Sequence, residues 1–241
     1  MKKILMVLFI GTLLMGCGDK NSGKADKDIV VVGTNAEYPP FEYLDGEKIA
    51  GIDPDIIDAI SEKTGIEFQW SNMTFDSLIP SMQLGKVDMI IACMTITPER
   101  SKNVDFSIPY LASPITVIAS EGSSIQSMDD LEGKKYGAQL GTTQEAKAQA
   151  IKDSTVISYP QPSSAVLDLL ADKLDAVVID ESVGTSFVKN NKGLKVVGTF
   201  EGDAKAIAVS KKKKELLDSI NTALEELIAD GTIDSIIKKH M

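Results

Sequence analysis

Short apolar strands alternate with amphipathic helices along most of this 241-residue chain, and this alternation limits the possible folds more than any other feature. In the first run, strands are predicted at 29–33, 66–70 and 87–92. A helix begins near Asp53, which is predicted to be its N-cap with Pro54 at the first helical position. A second helix is predicted over 74–84. This order is typical of an open α/β lobe.

A second run of the same kind follows. Its predicted strands are 115–119, 135–139, 156–159, 175–179 and 194–197, and its predicted helices are 127–131, 142–151, 163–171 and 181–190. A strand at 204–209 and helices at about 211–229 and 231–239 complete the chain. We therefore predict two α/β lobes, one from 29–112 plus 204–241 and one from 113–203, with crossings near 112–114 and 200–203.

The amino terminus has the layout of an export signal. Lys2 and Lys3 precede an apolar run at 4–10 that is shorter than the about 20 residues of a membrane-spanning helix. Residues 1–16 are predicted to be a signal peptide, and 14–17 resemble a bacterial lipobox that would lipidate Cys17. An ordinary signal peptide is the alternative. The polar segment 17–28 is predicted to be a flexible, lipidated tether.

Charge and motif content argue against several function classes. The net charge of −10 disfavours nucleic-acid binding, which needs concentrated Lys and Arg. The sequence contains no G-x-S-x-G, P-loop, H-E-x-x-H or C-x-x-C motif, so no catalytic residue, cofactor or metal site is predicted. Cys93 is expected to be a free, buried apolar residue. The one histidine, His240, is expected in a frayed tail.

One candidate anion-binding segment surrounds Arg100. Thr97 is predicted to cap a short helix after a strand, with Pro98 at its first position, which fixes Arg100 in the opening turn. A guanidinium beside free helix N–H groups suits a carboxylate. The alternative is a surface arginine paired with a nearby acid, which contributes little.

Two further segments predict polar groups at strand ends. Thr142 and Glu145 form a T-x-x-E capping box after a strand, which directs N–H groups and hydroxyls toward an anion, although alone it is an ordinary helix cap. Asp180 follows an apolar strand where open α/β sheets bind ligands, or else caps the helix from Glu181. With Arg100, these segments suit a free α-amino acid, whose carboxylate and ammonium carry opposite charges.

Several motifs in order resemble one family, the polar amino-acid substrate-binding proteins of ABC transporters. The motifs are Gly33–Tyr43, Gly51–Asp55, Ile96–Arg100, Asp105–Tyr110, Gly141–Glu145 and Leu174–Asp180. The resemblance extends from about residue 29 to 239. It implies a type II periplasmic-binding-protein fold, in which two α/β lobes joined by two hinge strands close on a ligand like a flytrap.

The resemblance also implies roles for individual residues. Arg100, with the backbone N–H groups of Thr95 and Thr143, would hold the α-carboxylate. Asp180, the Thr95 hydroxyl and the Cys93 carbonyl would hold the α-ammonium. Two aromatic rings would sandwich the ligand side chain. The predicted ligand-binding set is Asn35, Tyr38, Phe75, Cys93, Met94, Thr95, Arg100, Thr142, Thr143 and Asp180, with Tyr38 and Phe75 as the aromatic pair.

Two departures bear on the ligand. Asn35 stands where many relatives that bind basic amino acids have an acid, and Ala92–Thr95 lacks two hydroxyls where serines are usual. Arginine or lysine is the first expectation, with glutamine, histidine and cystine open. Hinge closure would present the closed form to a membrane permease. The resemblance implies a monomer, exported and lipid-anchored to the cell membrane, facing the periplasm or the exterior.

Two other functions fit the same fold. Cyclohexadienyl or arogenate dehydratases resemble this family and need an acid or base in the cleft, for which Glu37 is the candidate. A sensory ligand-binding module that acts through a separate partner chain is the second alternative.

Overall fold

The computed structural model describes residues 29–241. The predicted signal peptide, the lipidation at Cys17 and the tether lie outside these residues. The strands are β1 (Val30–Thr34), β2 (Glu37–Tyr38), β3 (Glu42–Asp45), β4 (Lys48–Ala50), β5 (Phe68–Asn72), β6 (Met89–Ile90), β7 (Val104–Phe106), β8 (Leu111–Ser120), β9 (Lys135–Gln139), β10 (Thr155–Tyr159), β11 (Ala176–Asp180), β12 (Leu194–Lys205) and β13 (Ala208–Ser210). The helices are α1 (Ile52–Thr64), α2 (Leu78–Gln83), α3 (Pro98–Ser101), α4 (Thr143–Gln149), α5 (Pro162–Leu170), α6 (Glu181–Asn190), α7 (Lys214–Ala229) and α8 (Thr232–His240).

The first lobe is built on a five-stranded sheet in the order β5-β1-β6-β13-β7. β1 runs parallel to β5 and β6, and β13 joins antiparallel to β6 and β7. Ile56, Ile57 and Ile60 recur at helical spacing on α1 and are buried in the core cluster that includes β1. The helices α7 and α8 pack against α1. Strands β2, β3 and β4 form a small separate sheet, which the sequence analysis did not predict.

The second lobe has a sheet in the order β10-β9-β11-β8-β12. β9 is parallel to β10 and β11, whereas β8 is antiparallel to β11 and β12. All five residues of β11 are buried, as expected for a central strand covered on both faces. Helices α4, α5 and α6 pack on this sheet.

Two long strands connect the lobes. β8 and β12 pair from Ser120↔Leu194 to Leu111↔Lys205, with register shifts between Val196 and Gly198 and between Phe200 and Asp203. β13 of the first sheet follows β12 after two residues. The predicted fold class, two α/β lobes joined by two hinge strands, is confirmed.

Asp53 does not cap α1, so that prediction is wrong. The N-cap is Gly51 at φ 129°, where a Cβ would lie 2.2 Å from the carbonyl oxygen of Phe41. Asp53 lies inside the first turn and is fully buried, and its carboxylate accepts from Cys93 N at 2.9 Å and from the Tyr110 hydroxyl at 2.9 Å. Asp53 therefore supports the loop after β6 rather than its own helix.

The helix predicted over 74–84 is present but begins later than predicted. A 3₁₀ turn at Phe75–Ser77 precedes α2, which begins at Leu78. Pro80 has no N–H group to donate, so it is tolerated only where helical N–H groups lack partners, in the first turn. Its position explains why the α-helix starts late.

Two other expectations need correction. The strand predicted at 87–92 pairs only over Met89–Ile90. His240 is not in a frayed tail, because α8 continues through it and its ring nitrogen lies 2.7 Å from Asp55 Oδ2 on α1.

Candidate functional site

A narrow cavity lies between the lobes. It is lined by Asn35, Tyr38, Glu42, Phe75, Ala92, Cys93, Thr95, Arg100, Gln139, Thr142, Thr143, Gln144 and Asp180. Nine of the ten residues predicted from the sequence are in this lining. The tenth, Met94, packs in the core of the first lobe with Leu78 and Met82. Glu42, Gln139 and Gln144 line the cavity without having been predicted.

Arg100 is the only arginine in the sequence, and it is 9% exposed. Thr97 and Pro98 begin α3 as predicted, with the Thr97 hydroxyl accepting from Arg100 N at 3.2 Å. The guanidinium donates to Thr95 O at 2.8 Å and, across the lobes, to Gly141 O at 3.0 Å. Its Cζ lies 5.2 Å from the centroid of the Phe75 ring.

Among residues 29–241, Arg100 forms no ion pair with a carboxylate. Burial lowers its pKa to about 10, so the guanidinium is protonated at neutral pH. Within 29–241, no carboxylate oxygen lies within 4.0 Å of it. The surface ion pair considered as an alternative for Arg100 is therefore absent from this part of the chain. A buried cation bonded only to carbonyl oxygens is suited to receive an anion.

Asp180 is 1% exposed at the carboxyl end of β11. It occupies the N-cap position of α6, as the alternative had it, but its side chain makes no capping hydrogen bond and is directed to other partners. Its Oδ2 accepts from the Tyr38 hydroxyl at 2.9 Å and from Gln144 Nε2, and the Cys93 thiol lies 3.8 Å away. Burial raises the pKa of Asp180, and the nearby Lys205 ammonium opposes that rise.

Lys205, which the sequence analysis missed, is the cationic partner of Asp180. Its side chain is fully buried, with Nζ 2.8 Å from Asp180 Oδ1 and 2.9 Å from Thr95 Oγ1. Burial lowers the pKa of Lys205, but the neighbouring Cys93 and Asp180 groups together outweigh burial, so the pKa is raised and the ammonium is charged. A lysine directly before the apolar run at 206–209 was the available signal.

Threonine side chains connect the lobes next to Arg100. Thr95 Oγ1 lies 3.2 Å from Thr143 Oγ1 across the cleft. Thr142 caps α4, as predicted, by accepting from Glu145 N at 3.2 Å. The reciprocal half of the predicted box is shifted by one residue, because the Glu145 carboxylate accepts from Gly141 N at 2.7 Å. This bond fixes the turn at Gly141, whose carbonyl oxygen accepts a hydrogen bond from the Arg100 guanidinium.

Asn35 and Tyr38 also contribute bonds between the lobes. Asn35 Oδ1 accepts from Gln139 Nε2 at 2.7 Å, while its Nδ2 donates to Met73 O at 3.0 Å. The Tyr38 ring stacks on Phe41, with centroids 6.3 Å apart, and its hydroxyl reaches Asp180. Since these bonds join side chains of the two lobes, the cleft is closed.

Two buried acids lie behind the cavity. Glu42 is 1% exposed, and its Oε2 has no hydrogen-bond partner. Burial, followed by the proximity of Asp53, raises the pKa of Glu42 well above its usual 4.5. Burial also raises the pKa of Asp53, to about 6, against the opposing bond from Cys93 N. Burial therefore favours the protonated form of Glu42, and within residues 29–241 its unpartnered oxygen adds a polar atom to the wall.

Cys93 and Glu37 are the two residues for which the sequence raised a reactive role. Cys93 is free and buried, as predicted, and burial raises the pKa of its thiol well above the usual value. Glu37 lies on β2, outside the cavity lining, and accepts from Gln161 Nε2 at 2.6 Å. Burial raises the pKa of Glu37.

The described residues contain neither a cluster of three or more His, Cys, Asp or Glu side chains arranged for a metal ion nor a helix long and apolar enough to span a bilayer.

Two α/β lobes joined by two strands around a closed cleft define a class of two-lobed proteins that bind small solutes. Residues 30–241 match the family of bacterial extracellular solute-binding proteins, family 3, and the chain belongs to that family. The predicted family membership is therefore confirmed.

Among similar proteins, a probable histidine-binding protein of Campylobacter jejuni is 38% identical, covering 100% of this chain and 99% of that protein. The arginine-binding extracellular protein ArtP of Bacillus subtilis is 34% identical, with 99% and 98% covered. A solved structure of an ancestral arginine-binding protein bound to arginine is 42% identical, with a TM-score of 0.84 over 88% of this chain and 98% of that one.

Proposed function

We propose that this protein captures a free L-α-amino acid in its interlobe cleft and delivers it to the permease of an ABC transporter, with arginine as the first candidate. The observation that carries this proposal is the buried guanidinium of Arg100, which has carbonyl partners but no carboxylate among residues 29–241. An α-carboxylate would supply the missing charge through a bidentate contact.

The opposite charge lies on the other lobe. We assign 29–112 plus 204–241 to the first lobe and 113–203 to the second, so that Arg100 and Asp180 belong to different lobes. An amino acid that contacts both stabilises the closed form relative to the open one. The closed form is then the state that a permease would recognise. Thr143 and Thr95, 3.2 Å apart, provide donors near the proposed carboxylate position.

The residues that line the cleft favour a ligand with a polar, planar side chain. Phe75 offers a ring face, and the amides of Asn35, Gln139 and Gln144 offer carbonyl oxygens that can accept from a guanidinium. The names of the relatives also favour arginine. Histidine is the second candidate because the Campylobacter relative is named for it. Lysine, glutamine and cystine complete the set to be tested.

The export route is part of the proposal. A signal peptide at 1–16 and a lipid on Cys17 would hold the binding domain at the outer face of the cell membrane. Mass spectrometry of the membrane-extracted protein should find a lipidated amino-terminal Cys17. A Cys17→Ser variant should be released from the membrane fraction.

The binding proposal is tested by a thermal-shift screen of the twenty amino acids, ornithine and cystine. A ligand that binds only the folded state raises the apparent stability, so arginine should give the largest shift. Calorimetry should then give one site per chain. No shift with any of these compounds would contradict the proposal. Prephenate and arogenate, incubated separately, should yield no product, whereas turnover would favour the dehydratase alternative.

A further inference from the structure

The ammonium of Lys205 contacts two of the groups that the proposed function assigns to the α-ammonium of the ligand. The groups expected to hold a ligand ammonium include the Asp180 carboxylate and the Thr95 hydroxyl. Lys205 Nζ lies 2.8 Å from Asp180 Oδ1 and 2.9 Å from Thr95 Oγ1. The protein therefore supplies its own cation to the anionic half of the cleft.

The backbone of Lys205 is fixed in the connection between the lobes. It is the last residue of β12, pairs with Leu111 of β8, and accepts from Tyr110 N at 3.0 Å through its carbonyl oxygen. An isolated bridge also pairs it with Thr95. The side chain thus extends from a hinge strand to the boundary between the lobes, where Nζ contacts Thr95 on one lobe and Asp180 on the other. Lys205 is buried behind these two residues, which line the cavity.

The two oxygens of Asp180 have different partners. Oδ2 accepts from Tyr38 and Gln144, whereas Oδ1 makes no hydrogen bond within residues 29–241 and faces only the charge of Lys205, with Nζ 2.8 Å away. The ligand must therefore displace Lys205 or bind beside it, sharing one carboxylate between two cations. Either route costs free energy, because the first breaks a buried ion pair and the second places like charges together.

We propose that Lys205 is a specificity-determining residue, because its tethered ammonium competes with the α-ammonium of the ligand for Asp180. The Lys205–Asp180 pair closes the cleft without ligand. It also weakens the discrimination between amino acids and analogues that lack the ammonium. This inference rests on the proposed function for the identity of the competing group. An analogue without the ammonium leaves the Lys205–Asp180 pair intact. When Lys205 is absent, that analogue leaves the Asp180 charge buried and unpaired.

The test compares the wild type with Lys205→Met, using L-arginine and its des-amino analogue 5-guanidinopentanoate in calorimetry. Lys205→Met should bind arginine at least about tenfold more tightly than the wild type does. The dissociation constant of 5-guanidinopentanoate divided by that of arginine should rise by at least about tenfold. Lys195→Met is the matched control, since it changes a lysine on the same strand whose Nζ donates to Gln126 outside the cavity. Unchanged or weaker arginine binding by a folded Lys205→Met would overturn the inference.

Lys205→Gln provides a second variant with a neutral donor toward Asp180, in case the apolar side chain impairs folding. It should tighten arginine binding in the same direction, and circular dichroism establishes that each variant is folded. If Lys205→Met does not fold, unchanged or weaker arginine binding by folded Lys205→Gln overturns the inference.

A measurement without ligand separates this inference from the proposed function. Small-angle scattering should give a smaller radius of gyration for ligand-free wild type than for ligand-free Lys205→Gln or Lys205→Met, because the Lys205 bridge favours closure. Equal radii would overturn the inference. If the wild type binds no amino acid, the proposed function fails, and the scattering comparison alone decides whether Lys205 closes the cleft.

Discussion

At the scale of single residues, the cleft contains more charge than a zwitterionic ligand requires. Arg100 has no carboxylate partner among residues 29–241, whereas Asp180 already has Lys205. The two halves of the proposed site therefore differ in the absence of ligand. Carboxylate binding would satisfy Arg100 directly, whereas ammonium binding would require an exchange at Asp180. Substitutions of Arg100 should consequently affect affinity through the ligand carboxylate alone, whereas substitutions of Asp180 would also change its pairing with Lys205.

Arg100→Ala should weaken amino-acid binding by about 2–5 kcal/mol, because the carboxylate of the ligand would be buried without its partner. Arg100→Lys should also weaken binding, since an ammonium cannot reproduce the bidentate fork. Calorimetry with arginine measures both losses. Lys102→Ala is the control, as this exposed lysine lies two residues away and pairs with Glu99. Full affinity in Arg100→Ala would refute the assignment of the carboxylate.

Glu42 should make stability depend on pH in the opposite direction to an ordinary surface acid. Its pKa in the folded protein is raised above its usual 4.5, so the folded state retains a proton that the unfolded chain releases above that pH. Stability is therefore lost as pH rises from 4.5 toward the raised pKa. Glu42→Gln removes this titration. The unfolding free energy of Glu42→Gln minus that of the wild type should therefore increase as the pH rises above 4.5.

Urea unfolding at a series of pH values measures this difference, and the same exchange at exposed Glu47 provides the control. A stability difference between Glu42→Gln and wild type that stays constant from pH 4.5 to 8 would show that Glu42 is not held protonated.

Local sequence signals predicted some cleft residues and missed others for a physical reason. Asp180 directly follows a predicted strand and Arg100 lies in a helix whose start Thr97 and Pro98 mark, so local signals identified both. Lys205 reaches Thr95 across 110 residues of sequence, and no local pattern encodes that contact. Glu42 lies on a short strand of a small sheet whose position depends on tertiary packing. Acids and lysines of this kind resemble surface residues until the fold is known.

At the scale of elements, α6 shows a conflict between helix propensity and packing. Gly184 is buried in α6, and a Cβ there would lie 2.5 Å from Thr116 Cγ2 and 3.0 Å from Ile179 Cγ2. The close approach of α6 to β8 and β11 therefore requires the absence of a side chain. Such a contact positions the helix that begins directly after Asp180.

Gly184→Ala should consequently destabilise the protein. Alanine gains about 1 kcal/mol of helix propensity, but overpacking costs about 1–3 kcal/mol. Denaturant unfolding should give a net loss of up to about 2 kcal/mol. Thr185→Ala, at the exposed neighbouring position, changes the same helix without this contact and is the control. A Gly184→Ala variant more stable than wild type would mean that propensity outweighs packing here.

Element boundaries were predictable where capping chemistry is local. The Thr97–Pro98 start of α3 and the Thr142 cap of α4 both agree with the structure. Asp53 was mistaken for a cap because sequence alone does not show that its carboxylate is needed by Cys93 N and Tyr110. The late start of α2 could have been predicted from Pro80.

At the scale of the whole molecule, alternating strands and helices predicted the two-lobed class, because each sheet is built from β–α units. The closed arrangement was not predictable in the same way. It depends on bonds between lobes, such as Asn35–Gln139 and Tyr38–Asp180, whose partners are more than 100 residues apart.

The most direct test of the central claim is a crystal structure of the protein grown with L-arginine. The account predicts one arginine in the interlobe cleft, with its carboxylate on the Arg100 guanidinium and its ammonium on Asp180 in place of Lys205. Arginine bound outside the cleft, or in the cleft without contact to Arg100, would contradict it.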